Sequence, residues 1–408
     1  MLVTDKAQCR EWLVYALNRP LAFAVLEIAG WLGAIVRVPR VGHVVSDAEI
    51  GRRVLTDTEH FDSHSPGSLG TLVTQVLGPF ALLNMDGAEH HEVKRRLMEV
   101  FSPKYIAALL SAATGRLVTE LHEHLRAGQT VVFVDFMTDF ASVMACELIG
   151  VKVPSDRKRE RAVFAEMFAL ATEFTAFAGL GKQCLAGREL ERARGVVERF
   201  AAHIRDSYES NQPREHSLTR KMRALGFTFD QVKGVIIIVM VGATELITYG
   251  MPRVLALLLD SGQMAKLRAC PEMIEAAVDE GFRLVTPSNV VLRAVAKDCE
   301  IDGHRFQRGE RVLVVFHNMM RQSARFPHAG RFDIERVPDP RYRRLLFGAG
   351  PHACLGAGLA VAEARQVLGA LISLGGEIEI VRRRYNHGKT YPGYRSLRIR
   401  MTDAERRC

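Results

Sequence analysis

A lone cysteine set among glycines is the feature of this chain best suited to chemistry: residues 345–365 read LLFGAGPHACLGAGLAVAEAR. Gly348, Gly350 and Gly356 punctuate an apolar segment, and Cys354 stands just before a helix-like run. Glycine admits positive φ and close backbone approach, so the pattern predicts a tight loop delivering one thiol to the start of a helix. A helix N-terminus stabilises an anion, which favours thiolate. With no second cysteine nearby, such a thiolate is a nucleophile or a single-ligand metal donor; the alternative is a glycine-rich turn around an inert buried cysteine. Two further stretches place charge where chemistry could use it. VIIIVMVGATELITYG (235–250) sets Gly242, Thr244 and Glu245 within an apolar helix. A glycine there costs roughly 1 kcal/mol relative to alanine. A buried carboxylate costs more, so Glu245 is paired, protonated or less buried than its neighbours suggest. DEGFRL puts Glu280 and Arg283 one helical turn apart on a shared face, a pattern that is uninformative alone because many surface helices carry it.

These residues need a large scaffold, and the composition allows one. The chain has 408 residues, 48% hydrophobic and 25% charged, so a sizeable core can form, and the length prior alone favours more than one domain. Seven widely spaced cysteines without a CxxC pair argue against a disulfide framework and against a zinc site. The apolar stretch 21–36 is interrupted by Glu27 and is too short for a confident membrane span, so a soluble cytoplasmic protein is expected. The net charge of +9 is spread over separate arginine clusters; solvated faces or a docking surface for an acidic partner protein would explain it, and nothing resembles a nucleic-acid-binding module. Three- and four-residue apolar spacing predicts helices over 91–101, 104–127, 134–151, 184–211 and from Asp230, as N-cap, to 259. Strand-like runs lie at 34–46, 290–296, 311–316 and in the C-terminal EIEIV and LRIRM. With no repeat and no linker, the reading is one mostly α domain over 1–408. Its helix-rich core spans about 85–285 and 357–373, with small β-sheets at about 34–46, 290–316 and 377–401.

The spacing Phe347-Gly348-x-Gly350-x-His352-x-Cys354-x-Gly356 resembles the haem-binding loop of the cytochrome P-450 family of haem-thiolate monooxygenases, at every signature position. The resemblance implies haem b, iron protoporphyrin IX, with Cys354 as the metal ligand. It implies that Gly350 and Gly356 let the backbone donate to the sulfur, that Phe347 packs beneath the ring and that His352 meets a propionate. Glu280 and Arg283, with RFDIER downstream, are similar to the family's structural Glu-Arg-Arg cluster, completed here by Arg336. NVVLRAVAKDCEIDGHRFQRGERVLVVFHNMMRQSARFPHAGRFDIER is similar to the family's sheet and meander, with Arg293 at the propionate-binding position. MDGAEHHEVKRR (85–96) resembles the family's C helix, where His90 and Lys94 would hold propionates; Lys94 stands in place of the usual arginine. The resemblance covers roughly 20–400 and implies a single triangular domain, with the cysteine loop before the L helix and a long I helix over the distal haem face.

The stretch at 235–250 resembles that I helix, where small-Gly-x-acid-Thr is common and the glycine loosens the helix for oxygen and water. Gly242 fits, and a groove or π-type irregularity is expected beside it. The spacing to Glu280 supports a register in which Thr244 takes the acid position and Glu245 the threonine position. Burial over haem would raise the Glu245 pKa, so a protonated relay is one reading; pairing with a basic residue and contact with substrate are the others. The expected function is O2-dependent hydroxylation or epoxidation of an apolar small molecule such as a terpenoid, steroid, fatty acyl chain or polyketide. Electrons would come from a separate ferredoxin and ferredoxin reductase, or a flavodoxin-type donor, with Arg341, Arg343 and Arg344 as docking candidates and the protein a monomer. The alternatives are variant chemistry (peroxide-driven oxidation, C–C cleavage or coupling) and a non-catalytic haem sensor. Segments 66–84, 165–190, 234–246, 286–292 and 391–397 would face the substrate.

Overall fold

A 32-residue α-helix, Phe229–Asp260, forms the axis of the computed structural model, which describes residues 5–66, 68–177, 184–210 and 217–402. Position 67, residues 178–183 of the expected substrate-facing segments, and Cys408 lie outside the described residues. The helix is capped by Thr228, whose hydroxyl accepts from the Gln231 N–H while the Gln231 side chain accepts from the Thr228 N–H. Asp230, the expected cap, instead lies in the first turn: the Thr-x-x-Gln box satisfies two orphan amide donors together, which Asp230 alone cannot. The helix is long and apolar enough to cross a bilayer, but most of its apolar surface is buried against other helices, which makes it the core helix. Around it pack Lys6–Asn18, Phe133–Ile149, Arg157–Ala176, Ile274–Val285 and Ala357–Ile372. The crossing with Ile274–Val285 is close: a Cβ on Gly281 would lie 2.6 Å from a Val254 methyl. Deep in the same helix, Arg253 is fully buried and pairs with Glu11 of the first helix (Nε–Oε1 3.0 Å) while donating to the Pro392 carbonyl at 3.1 Å.

Among the described residues ten strands form small sheets: β1 (Ile35–Val38), β2 (Gly42–Val45), β3 (Phe61–Asp62), β4 (Val131–Val132), β5 (Val290–Val295), β6 (Cys299–Ile301), β7 (His304–Phe306), β8 (Arg311–Val315), β9 (Glu377–Tyr385) and β10 (Tyr394–Thr402). The main sheet runs β1-β2-β8-β5-β3, with β2 and β8 parallel and the other neighbours antiparallel. A second sheet runs β4-β10-β9, and β6 pairs with β7. The strand expectations therefore coincide with β1–β2, β5, β8, β9 and β10, while helices at Pro20–Leu32, Ala48–Thr56 and Arg157–Ala176 were not foreseen. Helical starts shift as well: the element expected at 91–101 begins at Gly87 and tightens into a 3-10 turn at Met98–Phe101.

The helix after the cysteine loop, Ala357–Ile372, buries Glu363 completely, and one of its carboxyl oxygens has no hydrogen-bond partner. Burial pushes its pKa from 4.5 up to about 8. The folded chain thus holds a proton there that the unfolded chain gives up, so folding stability falls as pH rises from 4.5 towards 8 and levels off above. Glu363→Gln is expected to remove this slope, losing less stability than the parent between about pH 5 and about pH 9 in urea titrations.

Candidate active site

Residues 345–356 reach the last helix through two short 3-10 turns, Leu345–Phe347 and Gly350–His352, joined across Gly348 at φ +82. The Cys354 N–H donates to the Phe347 carbonyl at 2.8 Å and closes the loop. Cys354 lies among many protein atoms and yet keeps accessible surface. Burial raises the thiol pKa; the Gly356 and Ala357 N–H groups and the Lys94 ammonium pull it back down. Gly356 lies beside the sulfur, with a Cβ there 4.0 Å from Sγ. Gly350 has a different task from the one the resemblance implied: at φ +66 its Cβ would lie 2.9 Å from the Leu55 carbonyl oxygen, so it allows close packing on the helix Ala48–Thr56. Phe347 stands edge-on to Phe282 of the helix Ile274–Val285, with centroids 6.1 Å apart.

That same helix carries the ion cluster. Glu280 takes a two-pronged contact from Arg283 (2.7 and 2.8 Å), both Arg336 Nε contacts at 3.1 Å, and the Asp333 N–H at 3.0 Å. Arg283 is buried and spends its remaining N–H groups on the carbonyls of Met320, Ala329 and Arg331. Next to it, Asp279 binds Arg343 (2.5 Å) and Arg344 (2.7 Å), the residues that lead into the cysteine loop. Arg341 is paired with Asp339. The three arginines considered for partner docking thus all have acidic partners within the chain.

His90 and His352 stack at 4.4 Å, and His352 Nε2 lies 2.7 Å from Asp86 Oδ1. Asp86 also accepts from the Ser63 N–H and hydroxyl; burial alone would raise its pKa, but the His352, His64 and Ser63 contacts hold it well below the usual range. Burial lowers the His90 pKa to about 4, helped by His352 and Lys94, and its Nδ1 has no partner. Lys94 sits elsewhere than expected: its ammonium donates to the carbonyls of Pro351 and Ala353 and so braces the cysteine loop. Arg293, on β5, is buried and finds one hydrogen bond, to the Leu292 carbonyl at 3.0 Å. It lines a cavity of about 300 Å³ with Ser63, Leu69, Leu83, Ser288–Leu292 and Tyr391. Of the expected substrate-facing segments, 66–84, 286–292 and 391–397 reach this cavity; Cys354, Glu245 and segments 165–190 and 234–246 are not in its lining.

On the long helix, Gly242 faces open space: a Cβ there would meet nothing within 4 Å. The helix stays regular α through this region, so the expected π-type irregularity is absent; the missing side chain, not a backbone bulge, leaves the room. The Thr244 hydroxyl donates back to the Met240 carbonyl at 2.8 Å. Glu245 is buried, and its Oε2 lies 2.7 Å from the Thr175 hydroxyl on the helix Arg157–Ala176. Burial raises its pKa, opposed by the Thr175 and Thr172 hydroxyls and by Lys389, so the carboxyl is kept neutral more readily than an exposed one. The Thr175 hydroxyl also lies 3.2 Å from the Thr172 carbonyl. One hydroxyl hydrogen cannot serve both oxygens, and a protonated Glu245 resolves the competition by donating to Thr175. Asp86, Ser63, Asp279, Thr175 and Tyr391 are neighbours the sequence reading did not name singly; Asp86 and Asp279 stand inside the motifs 85–96 and DEGFRL, Thr175 and Tyr391 inside the expected segments 165–190 and 391–397, and Ser63 carried no local signal.

These residues suit a haem. Cys354 is a single accessible thiol with N–H donors and a cation beside it; Arg293 is a buried cation with little to bind; His90 keeps an unpartnered ring nitrogen. An anionic ring edge and a metal beside the sulfur would satisfy all three. Comparison with known proteins agrees. Residues 260–374 match the family model described as Cytochrome P450. A Bacillus subtilis protein assigned to the cytochrome P450s, YjiB, is 26% identical over 357 residues, 86% of either chain. The C-19 steroid 1alpha-hydroxylase of Sorangium cellulosum is 26% identical over 298 residues, 72% of this chain and 73% of its own. Among solved structures, P450BioI in complex with an acyl carrier protein ligated to hexadec-9Z-enoic acid superposes with a TM-score of 0.78 at 19% identity, covering 95% of this chain and 99% of that one. These matches make the chain a homologue of the cytochrome P450 haem-thiolate monooxygenases. Its fold is that family's mostly helical one with small sheets.

Within this site the ion cluster makes a stability prediction. Glu280→Ala leaves Arg283 buried without its carboxylate, a loss of about 3–5 kcal/mol, and is expected to lower the thermal midpoint far more than Arg336→Ala, because without Arg336 the Glu280 carboxylate still has Arg283 and the Asp333 N–H.

Proposed function

We propose that Cys354 ligates the iron of haem b and that the enzyme inserts one oxygen atom of O2 into an apolar small molecule. The observation that carries this is the thiol itself: set among many protein atoms, still accessible, and faced by the Gly356 and Ala357 N–H groups and Lys94. Bound there, haem supplies dioxygen binding and reductive cleavage of the O–O bond, which thiolate electron donation favours. Arg293 and the stacked His90 and His352 would hold the propionates; Lys94 would act at one remove, by fixing the carbonyls of the cysteine loop. Arg283, Glu280 and Arg336 hold the approach to that loop.

Glu245 would hold the proton of the distal face. Buried, with its pKa raised by that burial, it takes the position where the family usually has an alcohol, while Thr244 is turned back onto its own helix. Thr175 would keep the carboxyl oriented. The cavity beside Arg293 has an apolar lining of Leu69, Leu83, Val290, Val291 and Leu292, which suits an apolar substrate. The steroid named for the Sorangium cellulosum relative and the hexadec-9Z-enoic acid of the P450BioI complex are apolar as well. Electrons would come from a ferredoxin or flavodoxin-type donor. Arg341, Arg343 and Arg344 are better read as braces of the 339–345 segment than as its docking site, because each is tied to an acid of this chain.

Two substitutions test the reading. Cys354→Ala is expected to abolish the strongly red-shifted Soret band of the reduced carbon monoxide complex; its persistence would remove Cys354 from the iron. Glu245→Gln keeps a polar group beside Thr175 but cannot release a proton, and is expected to lower product formed per electron consumed by about ten-fold or more. Unchanged coupling with an unchanged substrate-induced spin shift would show that Glu245 only links the two helices. Turnover of both proteins with peroxide in place of electrons would favour the variant chemistry.

A further inference from the structure

Eight of the twelve large apolar side chains exposed among the described residues lie between Trp12 and Leu32. The helix Pro20–Leu32 buries Phe23 and Ala29 on its inner side, with Leu26 against the small core beside the main sheet. Its outer side carries a second stripe, Leu21, Val25, Ile28 and Leu32, at helical spacing, with Trp31 beside it and 83% exposed. Trp12, Leu13 and Leu17 of the preceding helix continue the patch, and Trp12 meets Phe23 edge-on at 5.2 Å across the junction. Both tryptophans of the chain are therefore in it.

The exposed charges within this stretch of chain are positive. Between Trp12 and Ser46 the chain has three arginines and a single acid. That acid, Glu27, is turned inward to His317 at 2.8 Å. Arg19, between the two helices, and Arg37 and Arg40, on the β1–β2 hairpin that the second helix packs against, are exposed; Arg37 meets Glu310 at 2.6 Å, so the positive charge of the rim rests mainly on Arg19 and Arg40. A contiguous apolar stripe without acids, rimmed by arginines and ending in an exposed tryptophan, has the composition of a helix lying in a lipid headgroup region. At 13 residues the helix is only about 20 Å long, too short to span a bilayer of about 30 Å and suited to lying in its surface.

We propose that the face formed by Lys6–Asn18 and Pro20–Leu32 docks on an anionic lipid bilayer. The same helix forms a wall of the cavity, through Ala22, Phe23 and Leu26, with Arg19 at its edge. Docking thus places the apolar cavity against the lipid phase, where apolar molecules concentrate.

Flotation of the haem-loaded protein with vesicles tests this. The parent protein is expected to float with vesicles of equal phosphatidylglycerol and phosphatidylcholine, with a blue shift of tryptophan emission, and to bind pure phosphatidylcholine vesicles far more weakly. A Leu21→Ser, Ile28→Ser, Trp31→Ser triple variant is expected to bind the anionic vesicles about ten-fold less, with its carbon monoxide Soret band unchanged. Arg37→Gln with Arg40→Gln should weaken binding to the anionic vesicles alone. Three results would overturn the proposal: a parent protein that stays in solution with both vesicle types, a triple variant that binds as the parent does, or a parent dimer that the triple substitution converts to monomer. The last would make a second copy the partner of this face. None of these outcomes bears on Cys354, because the Soret band reports that site separately.

Discussion

The carboxylate of Glu280, held between two guanidinium groups, is the interaction on which the proximal half of the molecule depends. Its two oxygens receive Arg283, Arg336 and the Asp333 N–H, and Arg283 in turn gathers three carbonyls from the 320–331 segment. That segment has little regular structure, so its backbone oxygens need donors from elsewhere, and a buried planar fork supplies several at once. One residue earlier on the same helix, Asp279 holds Arg343 and Arg344. A single helical turn therefore anchors both the segment before the cysteine loop and the chain that enters it. Phe282, one residue before Arg283, supplies the ring that Phe347 meets.

The interior tolerates acids by two different means. Glu280 and Glu11 stay beside arginines, which compensates part of their desolvation. Glu245 and Glu363 have no such partner, and burial raises the pKa of each. A protonated carboxyl is a hydrogen-bond donor as well as an acceptor, so in an apolar core it costs less than an ion and can still bind specifically. For Glu245 the group met is a hydroxyl, Thr175, on a different helix, and Thr390 near the β9–β10 turn reaches the Thr175 carbonyl at 3.2 Å. The long helix, the helix Arg157–Ala176 and the C-terminal hairpin are thus joined at one buried polar point.

Much of this was legible in the sequence, for reasons that can be named. The cysteine loop and the Glu-x-x-Arg turn are local patterns whose spacing sets their geometry, and the apolar periodicity located the long helix and the strand runs. What stayed hidden depends on partners distant in the chain. Glu245 was recognisable as an acid in an apolar helix, but nothing local points to Thr175, seventy residues earlier. Arg253 carried the same signal, a charge among leucines, and its partner Glu11 lies at the far end of the chain. Lys94 was read as a propionate holder, yet which oxygens it meets depends on how closely the cysteine loop approaches its helix. The cap at Thr228 is a different case: the Thr-x-x-Gln box is plain in the residues, and Asp230 only competed with it.

The N-terminal helices show why exposure carries information that burial does not. A helix can be fully accounted for by the core it covers, and Pro20–Leu32 does cover one through Phe23, Leu26 and Ala29. Folding alone then asks nothing of its opposite side, where polar residues would cost the least. Instead that side carries leucine, valine, isoleucine and tryptophan, and the one acid available is turned inward. Leaving so much apolar surface in water lowers solubility without stabilising the fold, so its explanation lies outside the chain. The same helix separates that surface from the cavity beside Arg293, so whatever covers the outer stripe stands one helix diameter, about 10 Å, from the space where an apolar substrate would enter.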